Sequence, residues 1–182
     1  VAQRCVNTLG RGLILTRGPD VKTVPLNGKK AAGRFALVDD EDYDLVMQHR
    51  WHVWEQGRHG PYVAATITRP DGCRTTTRMH NLIMGTLSID HQNGDGLDNR
   101  RANLRPATQS QNNANQRRRG GTSSYKGVYW DRANQRWKAQ ISIDGRMRHL
   151  GNFLAEDEAA RAYDVAAVAA WGEFAATNGI AD

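Results

Sequence analysis

Residues Ser88 to Asn112 read SIDHQNGDGLDNRRANLRPATQSQN, and the rest of the chain is organised around them. A carboxylate and an imidazole stand side by side at Asp90 and His91. A polar run rich in turn formers follows at 93–99. Thr108 and Gln111 have the spacing of a capping box, which predicts a helix starting near Pro106 to Thr108. That helix carries Asn112 in its first or second turn, able to face back toward Asp90 and His91, with Asn113 beside it.

These residue types suit phosphodiester hydrolysis. A water must lose a proton near neutral pH, and histidine is the side chain best placed to take it. Charge that builds on the phosphate and the leaving oxygen is offset by a hard divalent cation, which prefers carboxylate and amide oxygens. Asp90, His91 and Asn112 supply one carboxylate, one base and one amide oxygen, and Arg100 and Arg101 add positive charge suited to contacting a DNA phosphate. On spacing alone, an Asp-His pair amid Asn and Gly is more often a surface loop than a metal site.

The stretch resembles the HNH, or ββα-metal, nuclease motif in its homing-endonuclease branch, together with TTTRMHNLIMG upstream at 75–85. The resemblance implies that His91 is the general base and that Asp90 binds a metal. It also implies that Asn103, twelve residues after His91, pins the loop between two strands. Asn112, twenty-one residues after His91, matches the last motif position as the asparagine variant and is the second metal ligand. Asn99 and Asn113 compete in register for the two asparagine positions. One divalent ion follows, Mg²⁺ first, with Mn²⁺ or a similar ion as the alternative.

The 182 residues suffice for one or two small domains. No apolar run is long enough for a membrane span and none resembles a leader, so a cytoplasmic, nucleoid-associated setting is expected. The chain opens on Val1, which leaves its coding start open. Cys5 and Cys73 form no metal-like pair, which argues against structural zinc and a disulfide scaffold. Net charge is +6, unevenly spread: residues 100–150 hold 12 basic and 2 acidic side chains, and residues 151–182 hold 1 and 6. A basic block beside the candidate site is the footprint of a polyanion binder.

Residues 1–20 lack periodicity and read as an arm. VKTVPL and RFALV are strand candidates, and Asp39 or Asp40 should cap a short helix, the nearby carboxylates being solvated. WHVWE, PYVAATIT and RTTTRM read as three strands, with turns at GRHGP and RPDGC. His80 opens a short helix and is expected to be structural. Arg117, Arg118 and Arg119 with two glycines form a basic linker over 117–124, suited to a DNA backbone or minor groove.

From Tyr125 to Asn178 three strands are expected, at Lys126–Trp130, Trp137–Ile143 and Arg146–Asn152. A helix from about Ala155 to Trp171 follows, with a stripe of Ala159, Ala162, Tyr163, Ala166 and Ala170 facing the sheet. The segments YKGVYW, WKAQI, GRMRHLGNF and EDEAARAYDVAAVAAWGEFAATN resemble the plant APETALA-two/ethylene-response DNA-binding domain. There the outer sheet face docks in the major groove. The resemblance assigns DNA contacts to Lys126, Tyr129, Arg132, Lys138, Gln140, Ser142, Arg146, Arg148 and His149. Trp130 is left between packing and stacking.

The expected fold class is α+β. A small antiparallel unit leads into a ββα-metal motif (21–116), and the linker then joins a three-stranded sheet on one helix (125–178), with a short tail at 179–182. The expected function is a metal-dependent DNA endonuclease of homing type acting on double-stranded DNA, nicking or cutting both strands, as a monomer or a homodimer. The alternative is a non-catalytic DNA-binding regulator with a degenerate nuclease motif.

Overall fold

A computed structural model describes residues 20–55, 60–116 and 121–180. All but the last residue of the expected arm at 1–20, the arginines at 117–119 and most of the GRHGP turn lie outside the described residues.

The architecture is α+β, built from small antiparallel sheets and helices. Strands β1 (Val21–Pro25) and β2 (Phe35–Asp39) pair, and α1 (Asp40–Met47) follows directly. Strands β3 (His52–Glu55), β4 (Pro61–Thr68) and β5 (Arg74–Arg78) form a second sheet, leading into α2 (Met79–Met84). Then come β6 (Ile89–His91) and β7 (Leu104–Pro106), an antiparallel pair, and α3 (Gln109–Asn115). The expected capping box is formed: the Thr108 hydroxyl accepts from the Gln111 backbone N–H, and the Gln111 side chain accepts from the Thr108 N–H. That satisfies two orphan donors at a helix start.

One core runs from β1 to β7. Val24, Val38, Val46, Trp51, Val63 and Met79 pack with Ile89 of β6 and Leu104 of β7. Trp51 is fully buried and donates its indole N–H to the Val46 carbonyl at 2.6 Å. Burial of this kind stabilises by roughly 1.5–3 kcal/mol for each large apolar side chain. The strand that carries Asp90 and His91, and its partner β7, are therefore anchored by apolar neighbours drawn from the preceding unit.

The carboxylates at 39–42 correct one expectation. Asp39 sits at the N-cap of α1 but makes no side-chain cap bond. Its carboxylate accepts instead from the backbone N–H of Arg101 at 2.8 Å. Asp42 is buried and takes two bonds from the Arg101 guanidinium, at 2.8 and 2.7 Å. These acids face the motif loop rather than water.

The C-terminal sheet comprises β8 (Val128–Asp131), β9 (Arg136–Ile143) and β10 (Arg146–Phe153), in the order β10-β9-β8. Helix α4 (Glu156–Trp171) lies across it, with three acidic residues in its first turn. The buried face of α4 is Ala159, Ala160, Tyr163 and Ala167. It is rotated from the expected stripe, since Ala170 is exposed. Gly127 explains the local fit: its φ is +76°, and a Cβ there would lie 2.0 Å from the Tyr163 ring. Only glycine lets the YKGVYW turn meet the helix that closely.

Candidate active site

Asp90 and His91 occupy the middle and end of β6, and both are buried. Across the strand pair, Arg105 stands opposite Asp90. Its Nε and Nη2 lie 2.9 and 2.8 Å from Asp90 Oδ2. Asn115 on α3 donates its amide to both Asp90 oxygens, at 3.1 and 3.0 Å, and to the His91 carbonyl at 2.7 Å. Asn112, one helical turn earlier, donates to the Ile89 carbonyl at 3.4 Å. Residues three apart share a helix face, so Asn112 and Asn115 both address β6. Asn113 points elsewhere, to Gln109 at 3.0 Å.

Two asparagines that competed in register have different places. Asn103 is buried and spans the loop: it donates to the Asp98 carbonyl at 2.7 Å and accepts from the Asn93 N–H at 2.9 Å. Asn99 is fully buried, with its Oδ1 3.4 Å from His91 Nε2. Its amide donates to the carbonyls of Gly96 and Leu97, at 3.5 and 3.2 Å. That fixes its oxygen toward the imidazole, and the matching tautomer carries the proton on Nε2 and leaves Nδ1 as the lone-pair nitrogen. The loop is also held against β4, because a Cβ on Gly96 would lie 2.4 Å from the Pro61 carbonyl.

Burial lowers the pKa of His91, and its contact with Asn99 and the nearby Asp90, Asp95 and Asp98 only partly oppose this. The His80 ring meets His91 edge to face, with centroids 4.8 Å apart, and Tyr62 touches both rings. His80 is 2% exposed and its Nδ1 has no partner. Burial first, then the charges of His91 and Arg78, hold its pKa down to about 3. A group kept neutral when folded, with an ordinary value of 6.5 when unfolded, binds fewer protons in the native state throughout that window. Its stabilisation is intact above the unfolded value and is lost as pH falls toward 3. His80 alone should lower the urea-derived stability at pH 5 by about 2 kcal/mol relative to pH 7.5, and His80→Phe should remove that share, leaving the part due to the buried His91. An equal midpoint at both pH values in the wild type would contradict this account.

Arg100 and Arg101 were expected against phosphate. Arg100 binds Asp98 at 2.7 and 2.6 Å, a pairing that holds the Asp98 carboxyl below its usual range. Arg101 binds Asp42 and, at 2.9 Å, Glu41. Both guanidinium groups have partners inside the protein.

The oxygen donors in β6 and α3 suit a hard cation. Among the described residues no three His, Cys, Asp or Glu side chains gather as a metal site. A carboxylate from Asp90 and an amide oxygen from Asn112 would leave most of an octahedral shell to water and phosphate, which is how Mg²⁺ is commonly held.

On the C-terminal sheet, Arg132, Ser142, Arg146, Arg148 and His149 are exposed, while Tyr129, Lys138 and Gln140 are half-buried. The register divides them between faces. Lys138 pairs with Tyr129, Gln140 with His149, and Ser142 with Met147, so these share the outer face. Arg146 and Arg148 stand opposite Ile143 and Ile141, on the side that carries α4, so they reach solvent from the sheet edge rather than from the expected outer face. Lys138 is paired with Asp131 at 2.5 Å. Lys126 is turned inward onto the Ala114 carbonyl of α3, and burial lowers its pKa to about 8. Trp130 pairs with Trp137, ring centroids 5.1 Å apart, on the helix side of the sheet.

Sequence reasoning missed Arg105, Asn115 and the contact of Asn99 with His91. Two signals were available: Arg105 falls opposite Asp90 across a hairpin, and Asn115 lies three residues beyond Asn112. The buried partners of Arg101 left no local signal.

The chain is 29% identical over 153 residues to an uncharacterized HNH endonuclease, L560, of Acanthamoeba polyphaga mimivirus, covering 83% of this chain and 78% of that protein. Over 67 residues it is 40% identical to two Arabidopsis thaliana proteins, the AP2-like ethylene-responsive transcription factors AIL7 and AIL5. That match takes in 31% of this chain and 14% and 12% of those plant proteins. No family model matches the chain, and no solved structure matches it. Distant similarity to an HNH endonuclease over most of the chain thus accompanies a local likeness to a plant transcription-factor segment. Among the described residues no helix is long and apolar enough to cross a membrane.

Proposed function

We propose that the chain is a metal-dependent DNA endonuclease of the HNH type, with residues 21–116 as a ββα-metal nuclease domain and 125–178 as an APETALA-two-like DNA-binding domain. The observation that carries this reading is the convergence on β6. Asp90, a neutral His91 and the asparagines of α3 meet at one strand, behind a loop tied by Asn103. The mimivirus relative supports the same class.

Asp90 and Asn112 would hold one divalent ion, Mg²⁺ or a similar metal, which would offset charge at the phosphate and the leaving oxygen. His91 Nδ1 takes the proton of the attacking water, while Asn99 orients the ring through Nε2. The hydroxide oxygen bonds to phosphorus, the bond from phosphorus to the 3′ oxygen breaks, that oxygen takes a proton from solvent water, and 3′-hydroxyl and 5′-phosphate ends result. Asn115 and Arg105 hold the Asp90 carboxylate. The outer sheet face with Tyr129, Gln140, Ser142 and His149, flanked by Arg132, Arg146 and Arg148, meets double-stranded DNA and raises the local concentration of sites. Arg117, Arg118 and Arg119 join it as backbone contacts.

The test is supercoiled plasmid incubated with the protein in Mg²⁺ or in EDTA. Nicked or linear product in Mg²⁺ and none in EDTA is the expected result. A retarded plasmid band in EDTA with no product in Mg²⁺, on plasmid carrying genomic DNA from the source, would favour the binding-only regulator.

A further inference from the structure

Arg105 is held from the far side of the chain. Its guanidinium carbon lies 3.8 Å from the centre of the Phe174 ring, and its Nη1 donates to the Glu173 carbonyl at 3.0 Å. Glu173 and Phe174 belong to the 3-10 turn Gly172–Phe174 that ends α4. Three residues of contact reinforce this junction: the Ala176 N–H donates to the Ala114 carbonyl at 3.2 Å, and Lys126 reaches the same carbonyl. Arg105 is therefore gripped on one side by the turn after α4 and on the other by Asp90.

The geometry points to Phe174, with the Glu173 carbonyl, as a positioning element of the nuclease site supplied by the C-terminal unit. This rests on the nuclease reading above. A stacked guanidinium keeps its plane, and its fork then presents Nε and Nη2 to one carboxylate oxygen. Asp90 is 6% exposed, so its orientation depends on these few partners rather than on water. A carboxylate misplaced by about 1 Å can cost on the order of a hundredfold in rate. The C-terminal unit would then do more than bring the nuclease to DNA: its last turn helps set the geometry in which cleavage occurs.

Phe174→Leu keeps apolar volume and removes the aromatic face, and Phe174→Tyr keeps that face. Three quantities are read for both variants: nicking rate in Mg²⁺ at saturating plasmid, plasmid retention in EDTA, and water exchange of the Arg105 Nε–H by ¹⁵N NMR. That resonance is assigned by its disappearance in Arg105→Lys. Phe174→Leu is expected to slow nicking about tenfold, leave retention within twofold and speed Nε–H exchange at least tenfold, with Phe174→Tyr near wild type. Wild-type nicking and exchange in Phe174→Leu would overturn the inference alone, as would a loss of retention equal to the loss of rate. A wild-type chain that nicks no DNA in Mg²⁺ sinks the nuclease reading and this inference with it.

Discussion

His91→Ala should lower the nicking rate by at least a hundredfold, and by up to about ten-thousandfold, while plasmid retention in EDTA stays within twofold. The size follows from the work a general base does. Water at neutral pH is a poor nucleophile, and a positioned imidazole removes its proton as the new bond forms. His91 is suited to this because it is buried beside Asn99 and its pKa is pushed down, so the neutral form is present at pH 7. The substitution should be quiet elsewhere. Asn115 bonds to the backbone carbonyl of residue 91, not to the ring, and the ties on Asp90 come from Asn115 and Arg105. Asn99→Ala frees the ring without removing the base and should cost less, about tenfold. Rates are compared at saturating plasmid, so that a change in DNA affinity does not enter. If His91→Ala nicks within tenfold of wild type, His91 is not the base, and the reaction must be assigned to another group.

Much of the fold was legible in the sequence because its signals are local. Alternation placed the strands of both three-stranded sheets, and the Thr108–Gln111 pair put the start of α3 near Pro106 to Thr108, one to three residues before Gln109. The face of α4 was harder. Every candidate position there except Tyr163 is alanine, so the other side chains carry no preference, and the large Tyr163 against Gly127 fixes the rotation. The outer sheet face turned on one residue of register. Arg146 and Arg148 carry the charge expected of a DNA face, yet cross-strand pairing sets Met147 and His149 beside Ser142 and Gln140. A strand slipped by one residue exchanges its faces, and composition cannot detect that.

The site divides in the same way. Asp90, His91, Asn103 and Asn112 lie within a short span, and their spacing carries meaning. Arg105 and Asn115 needed the hairpin pairing and the helix face before they became visible. The link from Arg105 to Phe174 joins residues 69 positions apart, and no periodicity connects them.

Arg101 is tied to Asp42 inside the protein, and Arg101→Met should lower stability by about 3 kcal/mol. Asp42 is only 3% exposed, and the Arg101 guanidinium gives it two close bonds. Removing the arginine leaves a buried carboxylate without its cation, and the methionine covers the apolar surface but offers no proton. Glu41, with its side chain 67% exposed, contributes little, because water screens it. The bond from the Arg101 backbone N–H to Asp39 survives any substitution at 101. Asp42→Leu combined with Arg101→Met should therefore recover much of the loss, since the pair is replaced by apolar groups and no charge is stranded. Urea unfolding of the two single variants and the double variant measures this coupling directly. A phosphate-contacting Arg101 predicts the opposite pattern: unchanged stability, a weaker plasmid complex, and a shallower dependence of retention on salt. That pattern would overturn the structural role, because an arginine bound to DNA in the complex has no reason to hold the free protein together.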